Sequence, residues 1–132
     1  MIGMNLHIPN NAIIAQNLLN LMKNTGMSVW RISIPWATVE KNKGLYEIPN
    51  LAKQAIQFAK NNNLRPLIIL AYGNDLYNET NPNDINWLTG YVNYCSYIIH
   101  TLYQEYGIKD FEIWNEWNAN IGKVPILYRD GD

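Results

Sequence analysis

The chain has 132 residues, 48% of them hydrophobic, which is enough for one domain with a real core. Its net charge of −1, with scattered basic residues, gives no electrostatic reason to expect binding to nucleic acid or to an anionic membrane. One cysteine, Cys95, excludes an internal disulfide framework. With two distant histidines, His7 and His100, that thiol does not form a zinc site. We therefore expect no metal and no cofactor.

The N-terminal segment indicates where the chain is found. Residues 1–7 lack a basic stretch followed by an apolar run, so the segment does not resemble a signal peptide. No apolar stretch reaches the length that spans a bilayer. We expect a cytoplasmic location for the chain as it stands, and secretion stays open for a full-length relative.

Apolar runs and turn residues predict alternating strands and helices, with the turn at 9–11 ending in Asn11 as the cap of the first helix. The predicted strands are 2–8, 27–34, 66–72 and 110–114, and the first two helices are 12–25 and 50–62. A third helix ends at Gly107 and carries one apolar stripe: Leu88, Tyr91, Val92, Cys95, Ile98, Ile99, Leu102 and Tyr106. The first helix carries the stripe Ile14, Leu18, Leu21 and Met22. Residues 36–48 and 73–84 are predicted to be loops.

This alternation predicts a parallel sheet with right-handed crossovers. A doubly wound open sheet and a piece of a (β/α)₈ barrel both fit. The turn at 7–10 has no glycine, which argues against a dinucleotide site. In either fold the functional groups lie at the C-terminal ends of the strands. Those ends carry His7, residues 31–36, residues 72–75 and residues 115–117.

The stretch FEIWNEWN at 111–118 suits sugar chemistry. The carboxyl of Glu116 can give or take a proton, and the amide of Asn115 can hydrogen-bond a hydroxyl. The indoles of Trp114 and Trp117 can stack on pyranose faces. Because side chains alternate along a strand, Asn115 and Glu116 can both face a cleft only if the strand ends or bulges at about Trp114.

Four short segments follow one another in a recognisable order. They are GMNLH at 3–7, WRISIPW at 30–36, LIILAY at 67–72 and IWNE at 113–116. With them, the chain resembles the first four βα units of a retaining (β/α)₈-barrel glycoside hydrolase. The clan includes cellulases, β-xylosidases and α-L-iduronidases, and the resemblance is closest to the β-xylosidase branch. It implies a half-barrel glycosidase domain over 1–118 and an irregular tail over 119–132.

The resemblance also implies roles for individual residues. Glu116 would be the general acid/base, Asn115 would bind the sugar 2-hydroxyl, and Arg31 would support the catalytic nucleophile. Substrate contacts are expected from His7, Trp36, Tyr72 and Trp117. The implied substrate is an oligosaccharide or glycoside.

The nucleophile of this clan lies on strand seven, beyond the four strands present here. Retaining hydrolysis needs two carboxyls about 5–5.5 Å apart, so the resemblance implies an isolated chain that is inactive or very weak. Asp75 and Glu79 match no nucleophile position and are expected in a solvated loop. The alternative function is a noncatalytic carbohydrate-binding or remnant half barrel. A complementary half, self-association or a fragment without function all stay open.

A half barrel also has a physical cost, because its sheet keeps two unpaired edges and an uncovered inner face. We expect Trp30, Ile32 and Leu70 to lose burial. Arg31 is expected to lose the carboxylate it would meet in a whole barrel and to need water or another partner.

Overall fold

The computed structural model describes residues 3–6, 11–77 and 84–114. The strands are β1 (Gly3–Leu6), β2 (Val29–Ser33), β3 (Arg65–Leu70) and β4 (Phe111–Ile113). The helices are α1 (Ala12–Lys23), α2 (Trp36–Val39), α3 (Asn50–Asn61) and α4 (Ile85–Tyr106). A 3₁₀ turn (Asp75–Tyr77) lies between β3 and α4. The alternation predicted from the sequence is confirmed, with strands shorter than expected.

The four strands form one parallel sheet in the order β1-β2-β3-β4. A doubly wound sheet would reverse its order at a switch point, and these four strands do not. The sequential order is the one expected of consecutive βα units. The coarser part of the fold prediction, a mixed α/β chain with a small parallel sheet, is therefore confirmed.

The helices α1, α3 and α4 lie side by side, since α3 contacts both of the others. They cover one face of the sheet, where the indole of Trp30 stacks on Phe58 of α3 at 5.6 Å between ring centroids. The side chains of Trp30, Ile32 and Leu70 are fully buried. The expectation that they lose burial is wrong. The alternation of β2 directs Trp30 and Ile32 toward the helices, with Leu70 of β3 on the same face, and leaves Arg31 on the opposite face.

On two helices the buried face differs from the predicted apolar stripe. On α1, Ile14 is 56% exposed and Leu21 is 65% exposed, whereas Ala15, Leu19 and Met22 are buried. On α4, Leu88 is 45% exposed and Val92 is 52% exposed. The buried face of α4 instead contains Trp87, Gly90, Tyr91, Tyr94, Cys95, Ile98 and Leu102. The prediction of buried Ile14, Leu21, Leu88 and Val92 is wrong because apolar residues occupy more than one face of each helix, and the neighbouring helices decide which face is covered.

The helix ends follow the predicted punctuation. The Asn11 side chain caps α1 by accepting from the backbone N–H of Ile13 at 3.0 Å and of Ile14 at 3.2 Å. Gly107 ends α4 with a φ of 68°, a left-handed conformation that glycine adopts without steric cost. The segment 36–48, predicted to be a loop, starts instead with the short helix α2.

Within the described ranges, no helix is long and apolar enough to cross a membrane. The same part of the chain has no cluster of three or more His, Cys, Asp or Glu side chains that is arranged to hold a metal ion. The prediction that Cys95 is a core residue is confirmed, since its side chain is buried within the face of α4 that covers the sheet.

Candidate functional site

The strand ends that carry the predicted site residues meet at one edge of the sheet, because all four strands are parallel. Two tyrosines of α4 attach that helix to this edge. The Tyr91 hydroxyl donates to the Leu70 carbonyl at 2.6 Å, and the Tyr94 hydroxyl donates to the Ile34 carbonyl. These two hydrogen bonds fix the position of α4 relative to the ends of β2 and β3.

The predicted site residues divide into two groups. Arg31, Trp36 and Tyr72 lie in the described part of the chain. His7, Asn115, Glu116 and Trp117 lie outside the described residues, and so does the predicted tail over 119–132. Their assignments stay predictions.

Arg31 forms an ion pair on the face of the sheet opposite the helices. Its Nε donates to Glu112 Oε2 at 2.8 Å, and its Nη2 lies 2.5 Å from Glu112 Oε1. Both side chains are partly exposed, at 26% for Arg31 and 34% for Glu112. These hydrogen bonds lower the pKa of Glu112 below its ordinary 4.5, against an opposing effect of burial. Arg31 was expected to need a partner other than the carboxylate of a whole barrel, and Glu112 of this chain is such a partner.

Sequence reasoning missed Glu112, although a signal for it exists. Arg31 pairs with Leu67 of β3, and Glu112 pairs with Ile69 two residues further along that strand. Residues two apart on a strand point to the same face, so Arg31 and Glu112 share a face once the register is known. The guanidinium therefore reaches across β3 to the carboxylate.

Trp36, expected from the resemblance to contact substrate, is fully buried. Its ring lies 4.8 Å from that of Tyr77 and 5.9 Å from that of Tyr94, measured between centroids. Its indole N–H donates to Glu40 Oε2 at 2.6 Å. In this structure the ring is part of the core next to the strand ends.

Glu40 is a buried carboxylate that sequence reasoning did not identify. Besides the indole of Trp36, the Tyr77 hydroxyl and the Gly44 backbone N–H each donate to its Oε1 at 2.6 Å. Its backbone carbonyl accepts from the Asn74 side-chain amide at 2.9 Å. A buried carboxylate is stable when several donors surround it, and here they join the segment after β2 to the segment after β3.

Tyr72 lies two residues after the end of β3 and lines a cavity of about 770 Å³. The cavity also contacts the end of β2 at Ser33, the loop between α2 and α3, and the first turn of α3. Its volume falls in the range of about 300–1,000 Å³ that is typical of small-molecule sites. Of the predicted substrate-contacting residues that the structure describes, Tyr72 is the one that lines this space.

The end of β4 has an unusual backbone. β4 stops at Ile113, and the next residue, Trp114, has a φ of 65°. A left-handed backbone at a bulky residue costs about 1–2 kcal/mol and persists only when the surroundings enforce it. Here the Trp114 N–H donates to the Leu70 carbonyl at 2.9 Å, and its buried ring packs 5.5 Å from that of Tyr91. The chain therefore leaves regular strand geometry immediately before Asn115.

No protein-family model matches the chain, and no curated protein sequence is detectably similar to it. A family 39 glycoside hydrolase from the gut symbiont Bacteroides cellulosilyticus WH2 is similar in structure, with a TM-score of 0.73 and 24% sequence identity over 88% of this chain.

Two β-glucosidases are similar as well. The enzyme from Exiguobacterium marinum has a TM-score of 0.59 and 16% identity, and the GH1 enzyme from Exiguobacterium antarcticum B7 has a TM-score of 0.58 and 15% identity. Each covers 78% of this chain. The chain spans 24% of the length of each of the three proteins. At these identities the likeness establishes a glycoside-hydrolase-like fold for part of such a protein.

Proposed function

We propose that this chain is the acid/base-bearing part of a retaining (β/α)₈-barrel glycoside hydrolase, closest to the β-xylosidase branch. Glu116 is the general acid/base, Asn115 binds the sugar 2-hydroxyl, and Arg31 supports the nucleophile supplied by a later strand. The substrate is a glycoside or oligosaccharide, and Tyr72, His7 and Trp117 contact it. Trp36 acts from the core, through its hydrogen bond to Glu40.

The backbone at Trp114 carries this proposal. Asn115 and Glu116 can face one cleft only if β4 ends before them, and β4 ends at Ile113 with a left-handed residue next. A strained backbone held by packing is a feature of functional sites. Together with the glycosidase-like fold, this conformation supports a site built on the two residues that follow.

The proposed chemistry is divided between this chain and a second carboxylate. General acid catalysis by Glu116 alone contributes about 10²–10⁴-fold, whereas enzymes reach about 10⁶-fold or more. We therefore expect negligible hydrolysis of aryl β-glycosides by the isolated chain. Activity should appear when a fragment carrying strands five to eight of a similar glycosidase is added.

Substitution of Glu116 tests its role in the complemented protein. Glu116→Gln should abolish hydrolysis of alkyl glycosides, whose leaving groups need protonation, and should spare part of the rate for a dinitrophenyl glycoside. Glu105→Gln, an exposed glutamate of α4, is the matched control and should change neither rate. Robust turnover by the isolated wild-type chain would contradict the assignment of the nucleophile to a later strand and would point to a second copy of the chain or to Asp75 as its source.

A complementary half or a second copy is part of this proposal. Two helices that lie on either side of α3 carry exposed apolar side chains. These are Ile13 and Leu21 on α1, and Ile85, Leu88 and Val92 on α4. Sedimentation velocity of the chain, alone and with the fragment of strands five to eight, measures this association. A chain that stays monomeric in both mixtures would contradict it.

The noncatalytic alternative is a carbohydrate-binding half barrel. It is favoured by the cavity lined by Tyr72, which offers a binding volume without requiring Glu116. Saccharide binding with no hydrolysis after complementation would support it over the enzyme.

A further inference from the structure

No residue of β4 lines the cavity that contains Tyr72. The cavity runs from Ser33 and Tyr72 at the strand ends, beneath the loop at 40–49, to Ala52 in the first turn of α3. The three sides therefore come from β2, from the segment after β3 and from the start of a helix. The space is separate from the ion pair of Arg31 and Glu112, since neither residue lines it.

The lining combines an apolar floor with a polar rim. Ile34, Val39 and Ala52 contribute buried aliphatic surface. The rim carries the exposed side chains of Asn42 and Glu47. A pyranose presents the same two kinds of surface, with C–H groups on its faces and hydroxyl groups around its edge. An apolar pocket with a few placed polar groups is the usual form of a small-molecule site.

Two tyrosines add aromatic surface to the cavity. Tyr46 and Tyr72 both line it. The ring of Tyr46 is fixed by stacking on Tyr97 of α4, with 5.3 Å between centroids. Tyrosine provides an apolar ring for a sugar face together with a hydroxyl for its edge.

The buried carboxylate of Glu40 holds the wall of the cavity in place. The Glu40 side chain accepts from the Gly44 N–H, and the Glu40 backbone carbonyl accepts from the Asn74 side-chain amide. These hydrogen bonds fix the loop at Glu40 and at Gly44. The Glu47 N–H donates to the Val39 carbonyl at 2.9 Å and closes the same loop. A wall organised before binding lowers the entropy cost of ordering it around a ligand.

We infer that this cavity, which no residue of β4 lines, is a saccharide-binding subsite that holds a neutral pyranose unit. The inference rests on the proposed glycosidase function, because it gives that enzyme a second sugar-binding position. The rim carries one cationic side chain, Lys41, and one anionic side chain, Glu47, so it favours a neutral sugar over a phosphorylated one.

The test is a titration of the ¹⁵N-labelled chain with cellobiose, followed by amide chemical shifts. Shift changes should concentrate at Leu45, Tyr46 and the first turn of α3. Asn42→Ala should weaken binding about tenfold, equivalent to about 1.4 kcal/mol. Its side chain is exposed, so the variant should fold normally. Asn93→Ala, at an exposed asparagine of α4, is the matched control and should bind as the wild type does.

A second pair of variants tests the aromatic contribution. Tyr72→Ala should abolish the cavity shifts, whereas Tyr103→Ala, at an exposed tyrosine near the end of α4, should not. Glu116→Gln should leave cellobiose binding in the cavity unchanged. Cavity binding without hydrolysis by the complemented wild-type protein would therefore count against the proposed function and not against the subsite. No binding, or binding that Asn42→Ala and Tyr72→Ala leave intact, would overturn the subsite.

Discussion

Glu40 offers the sharpest test of how the loops at the strand ends are held. We predict that Glu40→Ala strongly destabilises the chain, because three donors lose their acceptor. Trp36 and Tyr77 are buried, so their N–H and O–H groups are left in the core without their acceptor. Gly44 is exposed, and its N–H can turn to water.

The magnitude follows from these three contacts. A buried donor without an acceptor costs about 1–3 kcal/mol, and two are created. Removal of the carboxylate also relieves the cost of burying a charged group, which offsets part of the loss. We therefore expect Glu40→Ala to lower the free energy of unfolding by about 3 kcal/mol.

Glu40→Gln should cost less, and the structure indicates why. Tyr77 and Gly44 share Oε1, whereas Trp36 alone bonds Oε2. A glutamine can keep its carbonyl at the Oε1 position and then places an NH₂ donor against the indole N–H. One bond of three is lost, which costs about 1–2 kcal/mol. In a Trp36→Phe background that donor conflict is absent, so the same substitution should cost about 1 kcal/mol less.

Urea unfolding followed by far-UV circular dichroism measures these differences by linear extrapolation. Glu105→Gln, an exposed glutamate of α4, is the control and should stay within about 0.5 kcal/mol of the wild type. A loss below about 1 kcal/mol for Glu40→Ala would refute the reasoning, since it would mean that neither buried donor depends on this carboxylate.

Three further predictions concern other parts of the chain. Gly90→Ala should lower stability by about 1–3 kcal/mol, because its new Cβ would lie 2.5 Å from Cε1 of the buried Tyr77 ring. Glu112→Gln should lower the free energy of unfolding above about pH 5 and have little effect in acid. Arg31 lowers the pKa of Glu112 in the folded chain, so the stability that the ion pair contributes is lost as the pH falls through that pKa. Cys95 should resist iodoacetamide at about pH 8 until urea is added, since burial raises its pKa to about 11.

Each of these predictions has its own check. Thr89→Ala, at the exposed neighbour of Gly90, should leave the thermal midpoint nearly unchanged, and an equal loss in both variants would contradict the ring contact. Asp110→Asn removes the ion pair with Arg65, which is more exposed than the pair of Arg31 and Glu112. It should therefore change the pH dependence of the free energy of unfolding in acid less than Glu112→Gln does. Alkylation of Cys95 at equal rates with and without urea would show that burial does not protect it.

Much of the fold was predictable from the sequence, because its signals are local. Turn residues and caps act within a few residues, so Asn11 and Gly107 marked helix ends correctly. Unbroken apolar runs marked the strands of a parallel sheet, whose alternation with helices implies the order in which they pair. The position of Glu116 after the fourth predicted strand follows from the same local pattern.

The tertiary structure alone decided which faces and which partners are used. Leu88 and Tyr91 both belong to the apolar stripe predicted for α4, but only Tyr91 is buried, because burial depends on which face of the helix its neighbours cover. The pairing of Arg31 with Glu112 depends on strand register, and the burial of Glu40 depends on two loops meeting. Such contacts join residues far apart in the chain, and hydrophobic periodicity contains no information about them.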